Sequence, residues 1–235
     1  MPPESGYPPP RTQPEWGAAL VLLPIAATFD YYALPQWLQE QRLVQFAPQL
    51  IAYVAFGLWA TRNDAICSRL GLQKHTLVRG MQIGGLVGIL LGCVNSLMIL
   101  LVVPSFGYDI TFLRETPHAQ LPVFVMVPWF IFGIALFVEV NFRGFLLGRL
   151  MSLESTLWKP GSAKRLSPLA LLASALVFSL DPFMVTTFQH LHWIALWDGL
   201  IWGWILIRTG NLYATIIAHA IEVILMYSAV RISLM

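Results

Sequence analysis

Five ionisable residues stand deep within long apolar runs of this sequence: Glu139, Arg143, Asp198, His219 and Glu222. Each type can do chemistry. A carboxylate can take a proton, an imidazole can relay one or ligate a metal, and a guanidinium can hold a carboxylate or a developing oxyanion. Glu139 and Arg143 lie four residues apart in "VPWFIFGIALFVEVNFRGFLLGRL". On a helix that spacing puts both on one face, as an ion pair. His219 and Glu222 lie three apart in "HAIE". That spacing can place two ligands on one metal in a helical bundle, if Glu139 or Asp198 on another helix completes the set. The spacing alone names no metal, and the cofactor stays unknown.

The elements that must position these residues are membrane helices. The chain has 235 residues, 57% hydrophobic and 11% charged. A soluble domain carries about a quarter charged residues. So few charges cannot cover a water-facing surface, and the fold class is an all-α, polytopic transmembrane bundle. A net charge of +2 argues against nucleic acid as a partner. The lipid bilayer is the partner that composition implies. Residues 1–16, "MPPESGYPPPRTQPEW", read as a flexible proline-rich tail without a signal peptide's basic n-region. Residues 17–235 read as one membrane domain. Seven apolar segments are expected, near 17–36, 45–61, 78–103, 121–150, 167–181, 186–208 and 211–231. The fifth should end at Asp181-Pro182, where proline disfavours helical continuation.

Charge sets the expected orientation. Arg62, Arg69, Lys74 and Arg79 crowd one connection, and Arg149, Lys159, Lys164 and Arg165 another. The positive-inside rule makes both cytoplasmic and puts the N-terminus on the same side. At about 1.5 Å rise per residue, Glu139, Asp198, His219 and Glu222 then fall roughly 12–15 Å deep, in one layer of a core about 30 Å thick. The plain reading is a Glu139–Arg143 staple with His219 bonded to a carbonyl. The functional reading is a polar chamber, which the shared depth favours because a staple needs only one partner. Other polar residues read as structural. His190 and His192 are two apart and share no helical face, and Asn95 reads as an interhelical hydrogen bond. Cys67 and Cys93 have neither disulfide nor metal-ligand context.

Three stretches carry a family resemblance: "EVNFRGFLLGRL", "SALVFSLDP" and "GLIWGWILIRTGNLYATIIAHAIEVIL". Together they resemble the conserved blocks of the CAAX-protease and bacteriocin-processing (CPBP) family of intramembrane proteases, over residues 121–230. The family's first motif has two adjacent glutamates and then arginine. Phe142, Arg143, Gly144 and Glu139 match it, but Val138 stands where the family's base belongs. Phe178 matches the second motif, with Pro182 at its histidine position. His219 matches the third, with Val223 at its asparagine position.

The resemblance implies a scaffold kept and catalysis largely lost. Valine takes no proton, and proline and valine side chains donate no hydrogen bond to an oxyanion. Two readings stay open. The favoured one is a degenerate member that binds a membrane partner or a lipid-modified peptide. The other is an active divergent endopeptidase using Glu139 and His219, with Arg143, Glu222 and Asp198 in support. A small transporter is a third possibility, weakened by the absence of an internal repeat. The family and the lack of a targeting peptide fit a prokaryotic inner membrane.

Overall fold

The computed structural model describes residues 15–158 and 167–234. Residues 1–14 of the expected tail lie outside these, as do Lys159, Lys164 and Arg165. Among the described residues every regular element is helical. The helices used below are α1 (Leu22–Ala33), α2 (Arg42–Thr61), α3 (Leu77–Leu97), α4 (Val123–Leu157), α5 (Pro168–Ser179), α6 (Pro182–Phe188), α7 (Ile194–Thr209) and α8 (Leu212–Leu234).

Four helical runs are long and apolar enough to cross a membrane: α2, the run Ile66–Ser105 containing α3, α4 and α8. The pair α5–α6 forms a fifth if it is counted as one broken span, bent by 54°. The seven expected segments are thus present as helices, but not as seven full crossings. α7 has 16 residues, or about 24 Å of helix against a core of about 30 Å. Its polar and small positions, Asp198, Gly199 and Gly203, are buried against the bundle.

The expected stop before Pro182 is there, and Pro182 also starts the next helix. α5 ends at Ser179, and Pro182 opens α6 at the first helical position, where its missing N–H costs nothing. Asp181 caps α6 by accepting from the backbone N–H groups of Phe183 (3.1 Å) and Met184 (3.3 Å). Gln49 of α2 donates to the same carboxylate at 2.9 Å, tying the break to a neighbouring helix. The sixth segment begins later than the sequence suggests, at Ile194, after a turn in which Gln189 takes a left-handed φ of 48°.

α3 and α8 pack along each other through a glycine ladder on α3. A methyl group on Gly84 would meet the Ala214 carbonyl at 2.5 Å, and one on Gly88 the Ala218 carbonyl at 2.6 Å. Only glycine admits so close an approach, and small residues serve this purpose in membrane interfaces. The opposite side of α3 shows Leu86, Ile89, Leu90 and Val94 to the surroundings, as a lipid-facing side should. At the far end of α4, Arg149 is buried, pairs with Glu15 and lies 4.1 Å over the Trp59 ring. Trp59 Nε1 also donates to Glu15 at 2.8 Å. This latch fixes the segment before α1 to α2 and α4.

Candidate functional site

α4 departs from regular α-helix where the polar residues sit. Val140–Leu147 has wider, π-type turns, a feature that often accompanies functional sites. Just before it, Glu139 is completely buried and holds two partners. Arg143 Nη1 lies 3.3 Å from its carboxylate, and His219 Nδ1 of α8 lies 2.9 Å away. Arg143 is sandwiched by aromatic faces, 4.1 Å from the Phe178 ring centre and 4.9 Å from that of Trp202. Trp202 also stacks on His219 at 4.3 Å. α4, α5, α7 and α8 therefore meet in one cluster. With Nδ1 turned to Glu139, Nε2 is the imidazole nitrogen left for other partners.

The second group of carboxyls converges on α3. Asn95 Nδ2 lies 3.2 Å from both oxygens of Asp198 and 2.7 Å from Glu222 Oε1. Trp197 Nε1 donates to Asn95 Oδ1 at 3.1 Å. That bond points the amide N–H groups at the carboxyls. The depth estimate from sequence thus brings Glu139, Arg143, Asp198, His219 and Glu222 into one region, held as two adjoining clusters. Asn95 was expected as a single interhelical bond and is the hub of the second. No spacing signal in the sequence marked Trp197 or Trp202 as part of these clusters.

Both clusters border a cavity of about 270 Å³, close to the lower end of small-molecule sites, about 300–1,000 Å³. Asp198, His219 and Glu222 line it, and the rest of the wall is mostly aromatic and aliphatic, including Phe130, Phe178 and Met184. Val138 and Val223 are on this wall, whereas Glu139 is not among its lining residues. One residue along a helix turns a side chain by about 100°. Glu139 accordingly faces Arg143 and His219 instead of the cavity.

His118, in the connection before α4, also lines the cavity. It accepts from Trp129 Nε1 at 3.2 Å and packs against Phe130 and Tyr227. Burial among these rings pushes its pKa down to about 4. Nothing in the sequence singled it out. His190 stacks on Tyr108, and His192 sits 2.6 Å from the Gln189 carbonyl, in line with structural roles. Among the described residues, no three His, Cys, Asp or Glu side chains are placed to share a metal ion. His219 turns Nδ1 to Glu139 while Glu222 turns to Asn95, so the two do not form the pair of ligands their spacing allowed.

The family described as type II CAAX prenyl endopeptidase Rce1-like matches residues 120–225, a little under half of the chain. Over those residues the chain is similar to that family. No curated protein and no solved structure matched the chain. The matched region contains α4 to α7 and the part of α8 that carries His219 and Glu222. Asn95 on α3 lies outside it. At the three departures from the family motifs, Val138 and Val223 face the cavity and Pro182 is buried at the start of α6.

Proposed function

We propose that this chain is a catalytically degenerate CAAX-protease-like membrane protein. Its chamber binds a lipid-modified peptide without cleaving it by the family's mechanism. The observation that carries this reading is the chamber wall itself. Val138 and Val223 present hydrocarbon to the cavity where resemblance assigns the base and an oxyanion donor. Losing one oxyanion donor costs about 10²–10³-fold in rate, and losing the base adds to that. The same apolar wall suits a hydrocarbon chain. In this reading the N-terminus and the basic connections lie on the cytoplasmic side of a prokaryotic inner membrane.

The test is a prenylated peptide with a photoreactive chain, added to the protein in lipid nanodiscs. Crosslinks should fall on Phe178, Met184 and Val223, and the peptide should be recovered whole. Crosslinks confined to lipid-facing positions such as Leu86 and Leu90 would overturn the binding site.

A second reading has one observation of its own: His219 both lines the chamber and is oriented by a buried carboxylate 2.9 Å away. A histidine so placed could take a proton from water through Nε2. Glu139 is already engaged by Arg143, and Pro182 and Val223 supply no oxyanion donor, so this reading ranks second. Peptide cleavage by the wild type, abolished in both Glu139→Gln and His219→Ala, would establish it.

A further inference from the structure

We infer that the ligand of the chamber carries a primary ammonium group, and that this group docks on the Asp198–Glu222 carboxyl pair. The inference rests on the chamber-binding reading and deepens it. Four carboxyl oxygens are gathered here, with the Asn95 amide donating to both carboxyls and the Trp197 indole N–H beside Asp198. An amide nitrogen has two hydrogens to give. Glu222 is 3% exposed, and its Oε2 is buried with no N–H of the protein donating to it. Both carboxyls line the cavity. The site is therefore rich in acceptors and short of donors, in an apolar surrounding where that imbalance is costly.

Charge points the same way. The two clusters hold three carboxyls, Glu139, Asp198 and Glu222, against one guanidinium. Arg143 is committed to Glu139 and to the faces of Phe178 and Trp202. Its Nη2 makes no hydrogen bond to either carboxyl of the pair. His219 turns Nδ1 to Glu139 as well. What the chamber lacks is a second cation with several hydrogens on one compact atom. A primary ammonium supplies three, and can bridge both carboxyls at once. A metal ion would need more donors than the described residues bring together. The apolar remainder of the wall takes the attached chain. In a lipid-modified peptide the ammonium is a lysine side chain or a free N-terminus, and in a free amphiphile it is the headgroup.

The experiment compares photoreactive alkyl chains of equal length ending in a primary amine, an alcohol or a carboxylic acid, on nanodisc-embedded protein. Labelling of Phe178, Met184 and Val223 is read by mass spectrometry across a concentration series. The amine should label at about tenfold lower concentration than the alcohol, or lower still, the value of one charge-assisted hydrogen bond. The acid should label least. In Asp198→Asn/Glu222→Gln, amine and alcohol should label alike, and retained alcohol labelling shows that the chamber is intact. Equal labelling by amine and alcohol in the wild type overturns the inference while leaving the binding reading in place, and so does an amine preference that survives the double change. No chamber labelling by any probe overturns both. A prenylated peptide with lysine or glutamine beside the lipidated residue, run in parallel, distinguishes a peptide-borne ammonium from a lipid amine. A lysine preference assigns the first source, and a preference seen only with the free amine assigns the second.

Discussion

Arg143 is the residue on which the buried charge depends. It is 1% exposed, and its partner Glu139 is fully buried. Removing one member of such a pair strands the other, at a cost of about 3–5 kcal/mol, whereas replacing both with apolar residues is far milder. Arg143→Ala should therefore lower the thermal midpoint in detergent much more than Glu139→Leu/Arg143→Leu. Equal midpoints would remove the pair's structural role. Asn95 makes a parallel case. Asn95→Leu deletes the amide that faces two buried carboxyls and should destabilise by about 1–3 kcal/mol, read in the same melt. The Glu139–Arg143 pair was legible in the sequence because four residues on a helix is a local spacing. Asn95 was legible as polar but not as a hub, since its partners Asp198 and Glu222 are 103 and 127 residues away. Only the packing of α3 on α8, with α7 beside α8, brings them together.

The helix α3 sets the position of α8, and α8 carries His219 and Glu222. Gly84 and Gly88 allow the two backbones to approach so closely that an added methyl would lie 2.5–2.6 Å from carbonyl oxygens of α8. Gly88→Leu should force the helices apart, at a cost of at least about 1–3 kcal/mol for overpacking. The expected outcome is a lower melting point and loss of chamber photolabelling. Gly85→Leu is the control, because nothing lies within 4 Å of its added carbon, and it should change neither. Helix identity and order could be read from the apolar runs alone. The break between α5 and α6 was legible from Asp181-Pro182, but the restart of a helix at Pro182 was not, because an internal proline can end one helix or begin the next. The Asp181 cap and the Gln49 bond decide for the second. The shortness of α7 was hidden by the apolar residues of α6 and its following turn, which extend the run without belonging to the same helix.

At the scale of the whole molecule, the protonation of His118, the membrane orientation and the catalytic activity can each be measured. His118 has its pKa lowered from the usual 6.5 to about 4 by burial. Above pH 6.5 neither the folded nor the unfolded chain binds this proton, and stability is complete. As pH falls through the window from 6.5 to about 4, the unfolded chain takes the proton and the folded chain refuses it. Stability should then fall, by up to about 3 kcal/mol at roughly 1.4 kcal/mol per pH unit. The melting point should drop between pH 7 and pH 5, and His118→Phe should flatten that drop. Orientation can be read from the two cysteines, both exposed on the protein surface. Cys67 lies in the connection assigned to the cytoplasm, and Cys93 lies within α3 among lipid-facing residues. A membrane-impermeant maleimide should label Cys67 only from the cytoplasmic side and should leave Cys93 unlabelled. Labelling of Cys67 from the opposite side would invert the topology. The most direct test of the account is peptide release from a prenylated substrate by the purified wild-type protein, beside Glu139→Gln and His219→Ala. Val138, Pro182 and Val223 predict no release above background from any of the three. Release by the wild type that disappears in both variants would contradict the account.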